Sequence, residues 1–136
     1  MKLNHSETYL KNILKKVKTI ALVGASPNEN RDSFKVMKDL IKNGYKVFPV
    51  NPNESGKKIL GQKCFDSLES IKANIDMVDV FRAKEAVMEV TLQTIKIGAK
   101  VLWMQEGIIN HEAANLAKDA GLKVIMDRCP KNILEN

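Results

Sequence analysis

The chain has 136 residues, 44% hydrophobic and 28% charged, with a formal net charge of +6. That length suits one domain over 1–136; no run approaches the ~18 apolar residues of a membrane span, and no signal-peptide core opens the chain, so a cytoplasmic globular protein is the expectation. The basic residues are scattered and aromatics are only 5%, which disfavours nucleic acid and leaves a small anionic ligand as the better use of the positive charge.

Within an N-terminal segment 1–18, the spacing of Tyr9, Leu10, Ile13, Leu14 and Val17 predicts an amphipathic helix over 6–16, with Ser6 as its N-cap. "TIALV" (19–23) is a short β-branched run ending at Gly24, the pattern of a strand buried on both faces. From Ser33, the positions Phe34, Val36, Met37, Leu40 and Ile41 are helical, and Gly44 stops them. "KVFPV" (46–50) is a second strand, in which Pro49 indicates an edge position or a strand end. Residues 58–65 read as a connection and 67–71 as a short helix. A third strand spans 76–81, a helix 84–98, a fourth strand 100–104, a helix 111–121 with Asn110 as its N-cap, and a fifth strand 123–127.

Strand and helix alternate throughout. The expected fold class is therefore α/β: a Rossmann-like, doubly wound, parallel five-stranded sheet with helices on both faces. Its strand order is 3-2-1-4-5 or 2-1-3-4-5, and periodicity does not choose between them.

Ligands of such sheets bind beyond the carboxyl ends of the strands. Here those ends carry "GASPNENRDS", "NPN", "RAK", "QEGIIN" and "RCPK". In the first loop Gly24 permits a tight turn and close approach of a ligand, and Ala25 and Ser26 are small. Backbone N–H groups there are placed for a phosphate at the helix N-terminus. Arg31 offers a forked cationic donor, and Ser33 a helix cap or a phosphate contact. A dinucleotide fingerprint wants three glycines, and an acid about 20 residues on for the ribose. This loop has one glycine, and the second strand ends at Asn51 and Pro52. NAD and NADP are disfavoured accordingly.

The ordered set "VGAS…RDS", "GYKVFPVNPN", "ILGQKCFDSLESI", "VDVFR" and "IGAKVLWMQEGIIN", followed by "EAANLAKDAGLKVIMDRCPK", resembles the small stand-alone CoA-binding proteins. These are similar to the N-terminal CoA-binding domain of the succinyl-CoA synthetase α subunit. The resemblance runs from about Ile20 to Lys131. It implies coenzyme A as the cofactor, a small-molecule partner with no nucleic acid and no membrane. It places Gly24, Ala25 and Ser26 against the CoA phosphates, with Arg31 and Ser33 on the same loop. Asn51, Pro52 and Lys57 (or Lys58) would border the nucleotide end. Phe81 and Arg82 would flank the adenine or pyrophosphate, and Glu106 and Gly107 would lie near the pantetheine arm. The synthetase uses a phosphorylated histidine on a second domain; His5 and His111 match no such site, so the resemblance implies binding without catalysis.

Cys64 and Cys129 make no CxxC, and with two isolated histidines there is no metal-ligand spacing. Cys129, in "DRCPK", is either a reactive thiol activated by Arg128 and Lys131 or a small residue packed at a strand end. Glu106 lacks the acid or nucleophile partner that a general base needs. Asp76, Asp79 and Asp127 read as structural, and Trp103 as core. The alternatives left open are an NAD(P)-dependent oxidoreductase and a regulatory or redox-sensing partner of an acyl-CoA enzyme.

Overall fold

A computed structural model describes residues 5–135. Helix α1 (Glu7–Lys16) starts where expected: the Ser6 side chain accepts the Tyr9 N–H at 3.1 Å, and Leu10, Ile13 and Leu14 are buried. Strand β1 (Thr19–Val23) leads to helix α2 (Asp32–Lys42), and strand β2 (Lys46–Val50) follows. A two-residue hairpin, β3 (Lys58–Ile59) and β4 (Gln62–Lys63), occupies the segment read as a plain connection. Its turn holds Leu60 and Gly61 at φ +50° and +79°, and two-residue strands are too short to show a period. Strand β5 (Met77–Val80), helix α3 (Val87–Lys96), strand β6 (Val101–Met104), helix α4 (His111–Asp119) and strand β7 (Lys123–Ile125) then alternate. The 67–71 helix is a single 3-10 turn over Leu68–Ser70, capped by Ser67. Another such turn, Lys84–Ala86, opens the expected 84–98 helix. A final short helix α5 (Pro130–Leu134) follows β7.

All five main strands pair in parallel, in the order β2-β1-β5-β6-β7. Counting main strands only, that is 2-1-3-4-5, the second of the two expected orders. Pro49 therefore lies on the edge strand, where a missing N–H costs no ladder bond. Outside it, the Phe65 segment donates to the Pro49 carbonyl at 2.9 Å and partly covers the edge.

Two cores sandwich the sheet. One joins α1, α2 and α5 to Ile20, Leu22, Met77, Val101, Trp103 and Ile125. The other joins α3 and α4 to the alternate residues Ala21, Val23, Val78, Val80, Leu102 and Val124. This alternation is the two-residue period of strands apolar on both faces. Asp76 closes the far end of the sheet, its carboxylate accepting the Lys18 and Thr19 N–H groups at 2.8 and 3.2 Å. The carboxyl ends of all five strands share the opposite edge. Among the described residues, no helix is long and apolar enough to cross a membrane.

Candidate functional site

The carboxyl edge opens into a cleft of about 1310 Å³. The strand order reverses between β1 and β5, so the loops after these strands diverge to opposite faces and leave a crevice between them. Gly24 marks that point. Its φ is +93°, and a Cβ there would run into the Phe81 carbonyl oxygen and lie 2.9 Å from the carbonyl carbon. The single glycine of the loop is thus set by the approach of two strand ends. Its close neighbour is backbone of the chain itself, where the sequence suggested room for a ligand.

The N–H groups of Gly24 and Ala25 both donate to the Val50 carbonyl, at 3.0 and 3.2 Å. They are engaged in holding β1 to β2, which corrects the expectation that they face a phosphate. Asn51 reinforces the same junction: its side-chain amide donates to the Ala25 carbonyl at 2.8 Å, while its side-chain oxygen accepts from Asn53 N–H at 2.9 Å. Ala25 is buried in the core.

The open donors lie one turn further on. Arg31 occupies the N-cap of α2 without a side-chain cap bond, so Ser33 is not the cap. It sits inside the first turn, buried, and lines the cleft. The Asp32 and Ser33 N–H groups have no carbonyl one turn back to reach, and both residues form the cleft wall. The positive end of the α2 dipole, with Arg31 and Lys35 beside it, suits an anion. Arg82 adds a third cation from the end of β5, and Lys131 a fourth from α5. Asp32, Asp66, Glu89 and Glu106 are interspersed among them.

Gly24, Ala25, Ser26, Arg31, Ser33, Asn51, Pro52, Phe81, Arg82 and Glu106 all line the cleft. Lys57 lies outside the lining; it pairs with Glu54 at 3.4 Å, and its side chain is mostly exposed. Gly107 also lies outside, with φ +83°, and its N–H is held at 2.7 Å by Asp127 Oδ1. Asp127 itself has φ +59°, a conformation that Asp tolerates better than most residues. This link fixes the turn that carries Glu106, and no spacing in the sequence announces it.

At the β6–β7 end, Gln105, Cys129 and Asn132 also line the cleft. Trp103 is fully buried and donates Nε1–H to the Arg128 carbonyl at 2.9 Å, anchoring the loop before Cys129. Burial pushes the Cys129 thiol up, with hydrogen bonds from the Gln105 side chain and the Asn132 and Lys131 N–H groups pulling the other way. That opposes the activated-thiol reading, since reactive cysteines have lowered pKa values. Cys64 is likewise raised by burial and packs in the core. His111 opens α4 on the surface. Among the described residues, no cluster of histidine, cysteine and acid could hold a metal.

Residues 18–135 match the family described as the CoA binding domain. The chain belongs to that family. It is 40% identical over 128 residues to the Bacillus subtilis protein YneT, covering 94% of this chain and 93% of that one. A Pyrococcus horikoshii protein of known structure is 40% identical and superposes with a TM-score of 0.90, over 99% of this chain and 97% of its own. A Thermus thermophilus structure gives 0.91 at 32% identity, over 96% and 98%. An ADP-forming acetate–CoA ligase of Archaeoglobus fulgidus is 34% identical over 85 residues, which are 61% of this chain but only 12% of the ligase. The family match agrees with the resemblance read from the strand-end motifs.

Proposed function

We propose that the protein binds coenzyme A or an acyl-CoA in the carboxyl-edge cleft, and that it does so in the cytoplasm without catalysis of its own. The observation that carries this reading is the uncapped N-terminus of α2, flanked by Arg31 and Lys35 and facing a cleft that runs across all five strand ends. CoA is long and carries its phosphates at one end, so it matches a cleft with two cations at the first turn of α2. The phosphates lie at the Asp32 and Ser33 N–H groups and Arg31. Asn51 and Pro52 border the nucleotide, with Phe81 and Arg82 beside the adenine or pyrophosphate. Gly24 to Ser26 shape the floor, and the pantetheine arm extends toward Glu106.

Binding in place of ligase chemistry fits the share of the acetate–CoA ligases that this chain matches, about an eighth of one of them. The absence of an acid after β2 counts against NAD. Titration calorimetry with CoA, acetyl-CoA, NAD and NADP tests the reading. Micromolar or tighter binding of a CoA species with no response to NAD is expected. Clear NAD binding with none to either CoA species overturns it.

A further inference from the structure

Beneath the cleft, at the ends of β5 and β6, lie polar side-chain atoms without a hydrogen-bond partner. Asp79 is fully buried in the central strand β5, and neither carboxyl oxygen has a hydrogen-bond partner. Gln105 is 6% exposed, lines the cleft, and its Oε1 is also without a partner. Asp79 stands opposite Trp103 in the β5–β6 register. Gln105, two residues beyond Trp103, points to the same face and continues the ladder through its N–H bond to the Val80 carbonyl at 3.2 Å. Asp79 and Gln105 are thus diagonal neighbours on one face. The Gln105 side chain also hydrogen-bonds toward the Cys129 thiol, which lines the cleft. Buried polar groups without partners are rare in native folds and cost free energy.

A fully buried carboxyl in an apolar sheet holds its proton, and burial raises this one well above the ordinary carboxylate range. The protonated acid is a donor. A bond from it to Gln105 Oε1, its diagonal neighbour, would pair two of the three unpartnered atoms and leave one Asp79 oxygen. That bond fixes the glutamine amide with its NH₂ toward the cleft, next to Cys129. The result is a neutral donor on the cleft wall just past β6, beside the N-terminus of α5. A neutral donor suits a neutral acceptor, and an acyl thioester differs from a free thiol by its carbonyl oxygen.

We propose that Gln105, positioned by the buried Asp79, donates its side-chain amide to the thioester carbonyl of an acyl-CoA beside Cys129, so that this part of the cleft distinguishes acyl-CoA from free CoA. The assignment rests on the CoA reading above. Asp79 is a positioning residue; Gln105 is the contact.

The test compares CoA and acetyl-CoA by titration calorimetry on the full chain, alongside thermal unfolding. The wild-type protein is expected to prefer acetyl-CoA by roughly tenfold, the worth of one well-placed hydrogen bond. Gln105→Met and Asp79→Val each abolish the preference, bringing the acetyl-CoA affinity down to that for CoA in the same variant. Asp79→Asn, whose amide still donates to Gln105 Oε1, keeps it. Asp79→Val breaks the Asp79–Gln105 bond and leaves Gln105 Oε1 unpaired, so a lower Tm is expected whatever the role of Asp79; the positioning role is read from the ligand preference, which a purely structural Asp79 leaves unchanged in the folded variant. Equal wild-type affinity for the two ligands, or a preference that survives in both Gln105→Met and Asp79→Val, overturns the proposal while leaving CoA binding intact. Failure to bind either ligand overturns the CoA reading and this one with it.

Discussion

Gly24→Ala is the sharpest stability test of the architecture. Two costs add at this position. The first is conformational: φ is +93°, and an L-residue with a Cβ is strained there by about 1–2 kcal/mol. The second is steric. The new methyl would overlap the Phe81 carbonyl oxygen and lie 3.1 Å from Phe81 Cβ, and backbone on both sides must move. The bonds at risk are Phe81 N–H to the Val23 carbonyl at 2.8 Å and Gly24 N–H to the Val50 carbonyl at 3.0 Å. Weakening them adds about 1–2 kcal/mol, for a total near 3 kcal/mol. Gly44→Ala is the internal control: its φ is also +93°, but a Cβ there meets nothing within 4 Å. It carries only the conformational cost, about 1–2 kcal/mol. Equilibrium urea unfolding reads both variants, with Tm shifts of roughly 3–5 °C per kcal/mol. Equal destabilisation by the two substitutions would refute the view that Gly24 is fixed by the approach of β1 and β5.

Arg31→Ala is expected to weaken CoA binding by roughly tenfold and to flatten its salt dependence, as loss of a charged phosphate contact should; calorimetry at low and high salt checks this, and an unchanged salt slope contradicts it. Because burial raises the Asp79 carboxyl, the folded protein holds a proton that the unfolded chain releases near pH ~4. That contribution to stability is full below the ordinary carboxylate value and is lost as pH rises toward the elevated folded value. Asp79→Asn removes the dependence, so its stability relative to wild type should grow between pH 4.5 and 7.5 in urea unfolding; a constant difference would mean the carboxyl titrates normally. Cys129, raised by burial, should react with iodoacetamide at pH 7.5 more slowly than a free cysteine, and bound acyl-CoA should slow it further. Fast alkylation would restore the reactive-thiol reading.

The main elements were legible because their cause is local. Leu10, Ile13 and Leu14 fall on one helical face, and Asn110 sits before α4, where its side-chain oxygen accepts the Ala113 N–H at 2.9 Å. The β1 and β5 runs are apolar on both faces, which only a covered parallel sheet requires. The strand order was not legible, since it depends on which edges meet and the hydrophobic period is the same in either order. The β3–β4 hairpin and α5 are too short to carry a period. At the site, the cleft residues were found because strand ends converge by topology. Their roles were not. The engagement of the Gly24 and Ala25 N–H groups by Val50, the Asp127 clamp on Gly107 and the missing cap on α2 are long-range or backbone facts, and residue type does not encode them. Asp79 reads in the sequence as an ordinary structural acid because nothing in "MVDV" says that its neighbours offer no donor.

The cleft acquires a direction when its loops are ordered along the sheet. At β2 and β1 lie Asn51, Pro52 and the first turn of α2, with two cations and open backbone donors. At β5 comes Arg82, level with Phe81. At β6 and β7 come Gln105, Cys129 and Asn132, with Glu106 opposite Asn132 at 3.5 Å. The lining cations thin from two at the first turn of α2 to Arg82 at β5 and Lys131 on α5, interleaved with Asp32, Asp66, Glu89 and Glu106. A compact polyanion would use only the first end and leave Gln105 idle. A nicotinamide dinucleotide would place its phosphates midway and ask for an acid at Asn51. A ligand with phosphates at one end, a long neutral arm and a small carbonyl at its tip uses the whole edge in one orientation. Reversing it would set phosphates beside the buried acid and Glu106, where no cation other than Lys131 lines the cleft among the described residues. The sheet order, and not any single motif, sets where along the edge the cations stand.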